Sequence, residues 1–231
     1  MRAAALLALC AALAGCGGSG PARRTVEAAG FTGVSATAGI DVVISTSTAW
    51  SVGLAADRLA MDRIVVEVRG STLWLGLRPG TAARARWLAS QARVDVTLPS
   101  LSRLEVTDGS RARLSLSQPA ADLAVELSRG SQVSGTLACA ELVIAATGSS
   151  IVELAGTAER ITLAGSDRAK LRLSSLETPS MSAILSGGST AAVSVSRELV
   201  VEASGDSGLS FRGDARVERQ TLSGGSWLRR E

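Results

Sequence analysis

Histidine and tyrosine are absent from the 231-residue sequence, and Lys170 is its single lysine. Without histidine there is no serine triad of the usual kind, no imidazole-ligated metal and no histidine acting as a general base. We therefore expect the chain to carry out none of the chemistry that depends on an imidazole.

Aromatic residues make up only 3% of the sequence, although 46% of it is hydrophobic. The core must then be built from Val, Leu, Ile and Ala, which suits thin, layered packing. Basic and acidic residues are nearly balanced, 24 against 21. The arginines are scattered rather than gathered on one phosphate-binding face, so nucleic acid is not an expected partner.

The first 15 residues are typical of an export signal. Arg2 precedes an apolar run from Ala3 to Ala14 that is too short to span a bilayer but suits the core of a secretory signal. We therefore assign residues 1–15 to a lipoprotein signal peptide that is removed from the mature chain.

Cys16 is the predicted lipidation site. The run Leu13-Ala14-Gly15-Cys16 resembles the bacterial lipobox, in which the cysteine receives a diacylglycerol and becomes the new N-terminus. Residues 16–24, which include Gly17-Gly18-Ser19-Gly20-Pro21, are predicted to be the lipidated cysteine and a flexible tether. Cys16 would hold the protein on the membrane, and similarity to Gram-negative lipoproteins implies the outer membrane, because no Asp follows the cysteine.

The remaining cysteines cannot form a disulfide within the mature chain. Cys10 leaves with the signal peptide and Cys16 carries lipid, so that Cys139 has no partner. We expect Cys139 to be a small buried hydrophobic residue.

A short pattern recurs seven times in the second half of the chain: an apolar residue, then Ser, Thr or Ala, two mostly small or polar residues, and Ser or Asp. The blocks start at Thr107, Ser128, Thr147, Ala164, Ser186, Ser204 and Ser223, which lie 21, 19, 17, 22, 18 and 19 residues apart. A period of about 19 residues indicates stacked structural units.

Alternating apolar residues on both sides of each block predict β-strands. Ala183 and Leu185 precede the fifth block, and Val193 and Val195 follow it with the same alternation. About 19 residues accommodate three short strands and their turns, which is one coil of a parallel β-helix with Gly and Ser at the corners. The alternative is a β-sandwich, but a sandwich has no reason to repeat one frame at one phase.

The region before the repeats differs and is predicted to cap the coil. Phe31 to Val52 is interpreted as paired strands, and Ala56 to Arg63 as a short helical turn. Ile64 to Val68 and Leu73 to Leu77 are predicted to form a hairpin. Thr81 to Gln91 is the least β-like stretch, an excursion whose Trp87 we expect to fold back onto the coil.

Several phrases together resemble the head GIN domain family, also described as putative auto-transporter adhesins. They are Phe31-Thr32-Gly33-Val34, Gly39-Ile40-Asp41-Val42, the run from Val94 to Leu101, and the recurring Ser-Gly-x-Ser blocks that end in Phe211-Arg212-Gly213. The resemblance covers about Thr25 to Arg229, and we assign residues 25–231 to one head GIN-like domain. It implies an all-β, single-stranded, right-handed parallel β-helix in the cell envelope. Within the family motif Gly39, Ile40 and Asp41, Asp41 stands where the family name implies Asn.

Carboxylates are the remaining candidates for catalysis. Stacking would bring Asp167 and Asp206 to one edge, two coils or about 10 Å apart, near the upper end of the spacing that inverting glycosidases use. The alternative role, capping turns beside glycine, is the usual one for Asp. The repeat of calcium-binding β-rolls is absent, so we expect no metal or cofactor.

These features favour a non-enzymatic, lipid-anchored envelope protein, a putative adhesin or binding module for a glycan or an envelope protein. Two alternatives stay open. One is a β-helix enzyme that acts on polysaccharides, and the other is a structural or assembly factor that faces the periplasm. The sequence identifies no small-molecule substrate.

Overall fold

The computed structural model describes residues 21–117 and 119–231, in which β-strands wind into a solenoid. The predicted signal peptide, Cys16 and the first part of the tether lie outside the described residues. Ala22 to Arg24, which the sequence assigns to the tether, already belong to the first strand. Among the described residues, no helix has both the length and the apolar character that crossing a bilayer requires.

Seventeen strands and two short helices make up the described chain. The strands are β1 (Ala22–Val26), β2 (Gly33–Ala36), β3 (Asp41–Thr46), β4 (Ser51–Ala56), β5 (Ile64–Arg69), β6 (Thr72–Leu77), β7 (Arg93–Leu98), β8 (Arg103–Val106), β9 (Arg111–Ser115), β10 (Ala120–Leu127), β11 (Gln132–Ala146), β12 (Ile151–Gly165), β13 (Lys170–Leu185), β14 (Thr190–Ala203), β15 (Gly208–Arg212), β16 (Arg216–Leu222) and β17 (Trp227–Arg230). The helices are α1 (Arg58–Met61) and α2 (Ala83–Ala89).

Consecutive coils stack in parallel, which confirms the β-helix and excludes the sandwich. Gln132 pairs with Ile151, Ile151 with Lys170, and Lys170 with Thr190, so the chain advances by 19 or 20 residues per coil. The prediction of three separate strands per coil is wrong for β11 to β14, because each of these is a single strand of 14 to 16 residues. Each of these strands must bend, because it follows the turn of its coil and the next coil starts only one strand spacing, about 4.8 Å, further along the stack.

Glycine makes the bend possible. Gly156 in β12 has φ +116°, and a Cβ there would overlap the carbonyl oxygen of Leu137 in the coil before. Gly135 and Gly213 meet Leu114 and Val195 in the same way. At these corners only glycine lets neighbouring backbones approach.

The N-terminal cap is confirmed, but its strands are not wound in chain order. The hairpin of β5 and β6, α1 and the departure at α2 all occur where the sequence predicts them. However, β2 and β3 do not pair with each other as we interpreted Phe31 to Val52. Instead β2 lies between β6 and β8, and β3 lies between β7 and β9.

The core is a continuous column of aliphatic side chains within the coils. In β12 the alternation is direct, since Val152 and Leu154 are buried whereas Glu153 between them faces outward. Cys139 is buried, as expected. Trp87 is 63% exposed, so the expectation that it folds back onto the coil is wrong.

The repeated block is a stack of tight turns in which both central residues have positive φ, the geometry of a type I′ turn. The central pairs are Asp108-Gly109, Arg129-Gly130, Gly148-Ser149, Asp167-Arg168, Gly187-Gly188, Gly205-Asp206 and Gly224-Gly225, and Ala38-Gly39 forms one more turn in the cap. The predicted start of the fourth block, Ala164, is two residues too early. The turn begins at Ser166, and with this correction the blocks lie 18 to 21 residues apart.

A column of buried residues closes these turns on the inside. Its serines are Ser110, Ser131, Ser150, Ser189 and Ser207, all at most 1% exposed. The Ser189 hydroxyl donates to the carbonyl of Ser186 and accepts the N–H of Ala169 in the coil before. The serines recur because they satisfy backbone groups that the coil buries.

Candidate functional site

A groove of about 710 Å³ crosses six successive coils at the bend of the long strands. Its lining residues are Pro119, Ala120, Ala138, Cys139, Ala140, Thr157, Ala158, Glu159, Glu177, Thr178, Pro179, Ser194, Val195, Ser196 and Gly213. Five spacings of about 4.8 Å make it about 24 Å long. That length accommodates an extended peptide of about seven residues.

Small side chains create this groove. Ala120, Cys139 and Ala158 stand in register on neighbouring coils, and Thr178 and Val195 continue the row. A Leu or an aromatic residue at these positions would fill the space. The Thr178 hydroxyl donates to the carbonyl of Ser180, so this polar atom of the floor is already satisfied within the chain.

Carboxylates without ion-pair partners surround the groove. Elsewhere on the solenoid, three glutamates pair with arginines of the neighbouring coil, Glu126 with Arg103, Glu153 with Arg172 and Glu202 with Arg219. Glu105 on β8 makes no ion pair with a described residue. In the groove and on its rim, Asp122, Glu141, Glu159, Glu177 and Glu198 make no ion pair with any residue that the structure describes.

The rim is negative on balance, although it is not purely acidic. Asp122 and Glu141 lie directly opposite each other on β10 and β11, an arrangement of like charges that costs stability. Arg160 on β12 lies directly opposite Glu141, Arg216 on β16 lies directly opposite Glu198, and Arg197 precedes Glu198. The groove therefore combines an apolar floor with a surplus of carboxylates.

Cys139 lies at the floor of the groove. Burial raises the pKa of its thiol to about 11, and the negative charge of Asp122 adds to the increase. The thiol is protonated at neutral pH and is therefore a poor nucleophile.

The family motif residues occupy the first I′ turn. Gly39 has φ +79° and donates its N–H to the Ser110 hydroxyl at 3.0 Å, and Ile40 is fully buried. Asp41 begins β3 between Arg93 and Arg111, which lie opposite it on the two neighbouring strands. Its Oδ1 is 3.6 Å from Arg111 Nη1, so a carboxylate at this position meets positive charge on both sides.

Asp167 and Asp206 both lie on the ridge of turns, two coils apart. Asp167 has φ +55° and Asp206 has φ +59°, so both serve as central residues of I′ turns. The Gly187 turn lies between them, and Asp167 accepts a hydrogen bond from the Ser166 hydroxyl. Within residues 21–117 and 119–231, no three His, Cys, Asp or Glu side chains are grouped closely enough to hold a metal ion.

The four tryptophans all lie away from the groove lining. Trp50 donates its indole N–H to the carbonyl of Phe31, and the Arg69 guanidinium covers the ring of Trp74 at 4.0 Å. Trp227 packs over Gly208 at the last coils, and Trp87 extends from α2. The aromatic platforms that sugar-binding clefts usually offer are missing from the groove.

The groove was not predicted from the sequence. The available signal was a phase in each coil where the expected large apolar residue is replaced by a small one, as at Ala120, Cys139 and Ala158. The alternation around the blocks predicts the turns, and in the structure these turns are part of every coil.

Comparisons with known proteins give a family and a fold. A family model described as putative auto-transporter adhesin, head GIN domain, matches residues 30–215. A putative adhesin of Bacteroides fragilis has a similar structure, with a TM-score of 0.81 at 17% identity over 93% of this chain and 98% of the other.

Two Parabacteroides distasonis proteins are also similar in structure. A putative adhesin has a TM-score of 0.75 at 14% identity, and a putative lipid binding protein has a TM-score of 0.70 at 13% identity. Each comparison covers 92% of this chain and 98% of the other protein. A search of curated proteins finds no match.

Proposed function

The chain belongs to the family described as putative auto-transporter adhesin, head GIN domain, and from this premise we propose that it is a lipid-anchored outer-membrane protein that binds another macromolecule without catalysing a reaction. The groove is the proposed binding site. Its occupant is an extended protein segment that carries basic side chains.

The unpaired carboxylates of the groove are the observation that carries this proposal. Glu159 and Glu177 line it without an ion-pair partner among the described residues, while Glu126 and Glu153 elsewhere on the coils are paired with arginines. Lys or Arg side chains of a bound segment would supply the missing positive charge. The small apolar floor would accept the alternate side chains of the same extended segment.

The chemistry of the groove favours a protein segment over a glycan. Neutral sugars are held by aromatic faces and by many free hydrogen-bonding groups, and neither is present on a floor of Ala120, Cys139, Ala158 and Val195. Acidic polysaccharides would be repelled by the rim.

The anchor and the absence of catalysis rest on separate support. The lipobox-like run that ends at Cys16 supports attachment to the membrane, and the residue after Cys16 supports the outer membrane. The non-catalytic role is supported by the adhesin description of the family and by the lack of histidine.

A peptide-binding measurement tests the groove. Fluorescein-labelled dodecapeptides of alternating Lys and Ala, Glu and Ala, or Ser and Ala are titrated with the mature chain carrying Cys16→Ser, and fluorescence anisotropy is recorded. We expect the Lys–Ala peptide to bind most tightly. The double variant Glu159→Lys/Glu177→Lys should weaken that binding at least about tenfold, because both charges are reversed within the site.

The control makes the same change of net charge outside the groove. Glu105→Lys/Glu202→Lys alters two outward residues of the strands that precede the turns, and it should change the affinity by less than about twofold. If both double variants weaken binding equally, or if the Ser–Ala peptide binds as well as the Lys–Ala peptide, the groove is not the proposed site.

A further inference from the structure

The end of the solenoid where the chain enters carries an exposed patch of apolar and basic side chains. We propose that this patch, formed by Arg58, Leu59, Arg63, Arg84 and Trp87, lies on the surface of an anionic phospholipid bilayer. The inference rests on the proposed anchor at Cys16 and adds an orientation to it.

Leu59 and Trp87 are the two most exposed large apolar side chains among the described residues, at 61% and 63%. Leu59 lies on α1 and Trp87 on α2, and the two helices pack against each other. The opposite sides of these helices contribute Ala60 and Ala89 to the core, so the helices are fixed while their outer side chains stay in solvent. Exposed Trp and Leu on short helices are suited to a membrane interface.

Basic side chains accompany these two residues. Arg63 and Arg84 line the same shallow pocket of about 270 Å³ as Leu59, and Arg58 is its neighbour in α1. None of the three arginines forms an ion pair with another residue in the described part of the chain. Basic groups near the surface of an anionic membrane are attracted to its lipid headgroups.

The acidic residues of α1 do not cancel this charge. Asp57 accepts the N–H of Leu59 at 2.8 Å as the N-cap of the helix, and Asp62 follows its last turn. Against these two carboxylates, Arg58, Arg63 and Arg84 leave the patch positive.

The proposed anchor at Cys16 and the position of β1 favour the bilayer as the occupant. Ala22, the first residue of β1, pairs with Ala56, which immediately precedes Asp57 and α1. The six Cα–Cα steps from Cys16 to Ala22 can span at most about 21 Å. A lipid on Cys16 would therefore hold the membrane close to this patch, whereas the groove lies further along the stack of coils.

Vesicle co-sedimentation tests the inference on the mature chain carrying Cys16→Ser, which removes any contribution from acyl chains. Vesicles of phosphatidylcholine alone are compared with vesicles that contain about one-third phosphatidylglycerol. We expect binding to the anionic vesicles only. The variant Leu59→Ser/Trp87→Ser should reduce the partition coefficient at least about tenfold, because both inserted side chains are lost.

Ile184→Ser/Trp227→Ser is the matched control, since it removes two exposed apolar side chains, 53% and 43% exposed, from coils outside the cap. It should leave partitioning unchanged within about twofold. Equal losses in the two variants, or no preference of the unaltered protein for anionic vesicles, would overturn the inference. Cys16→Ala in the full chain, followed by cell fractionation, tests the anchor separately, and Glu159→Lys/Glu177→Lys should leave vesicle binding intact.

Discussion

Cys139 is an unusually isolated titratable group. Its thiol has a pKa of about 11, chiefly because it is buried and secondarily because Asp122 is near, compared with an ordinary value of 9.0. The sequence has no tyrosine and only Lys170 among lysines, so few other side chains titrate between these two values.

This isolation makes a stability measurement informative. Between pH 9 and about pH 11 the unfolded chain loses the thiol proton while the folded chain keeps it, so the free energy of unfolding should fall as the pH rises. The total loss should be no more than about 3 kcal/mol. Urea denaturation of the mature Cys16→Ser chain across this range measures it.

Cys139→Ala supplies the comparison for this titration. The variant lacks the thiol and should show a clearly smaller decrease over the same range of pH. Equal slopes in the two proteins would mean that the Cys139 thiol is not shielded from solvent in the way its burial indicates.

Residue identity alone predicted some environments and not others. Cys139 was expected to be buried because a lone cysteine in a mature exported chain has no partner, and it is. Trp87 was expected to be covered because large apolar side chains usually are. It is 63% exposed, whereas Ala89 on the same helix is fully buried.

The coil is the element that the sequence describes best. Its period is visible because every turn requires two residues with positive φ, and Gly or Asp recurs at those positions. The frame of the fourth turn was misread because Arg168 and Ala169 replace the expected Gly and Ser, while Gly165 offered a false match. Local composition therefore predicts that the units repeat, but not the residue at which each turn begins.

Gly156 shows how strictly a coil limits side-chain volume at its bend. Gly156→Ala would force a Cβ against the carbonyl of Leu137 at φ +116°. Because the obstacle is backbone, we expect a loss of about 3 kcal/mol or more in the free energy of unfolding, measured by urea denaturation.

Gly70→Ala separates this effect from the conformational preference of glycine. Gly70 has φ +62° in the cap hairpin, and a Cβ there would meet nothing within 4 Å. Its substitution should cost only about 1 kcal/mol. Similar losses at the two positions would contradict the close backbone contact at the bend.

In the molecule as a whole, the spatial order of the strands in the cap is the feature that could not be predicted from the sequence. β2 and β3 enter the stack between strands that come later in the chain, so that Gly33 pairs with both Thr72 and Arg103. Hydrophobic alternation reports which residues face inward, but it does not report which strand is the neighbour. The groove escaped prediction for the same reason, because it exists only once the coils are stacked.

Stacking also separates the two surfaces to which we assign roles. The patch on α1 and α2 lies beside β1, the first described strand, and the groove begins at Pro119, after the cap. A protein held at its cap would present the groove away from the bilayer. We therefore expect membrane attachment and partner binding to be separable by mutation.

Site-specific photocrosslinking in cells tests directly whether the groove binds a protein segment that carries basic side chains. A benzophenone amino acid is placed at Thr157, which lines the groove, or at Thr162, an exposed residue of the same strand β12 outside it. We expect Thr157 to crosslink a distinct envelope protein through a basic segment, Thr162 to give no such product, and Glu177→Lys to abolish the product. Equal products from both positions, or a product that Glu177→Lys leaves unchanged, would contradict this expectation.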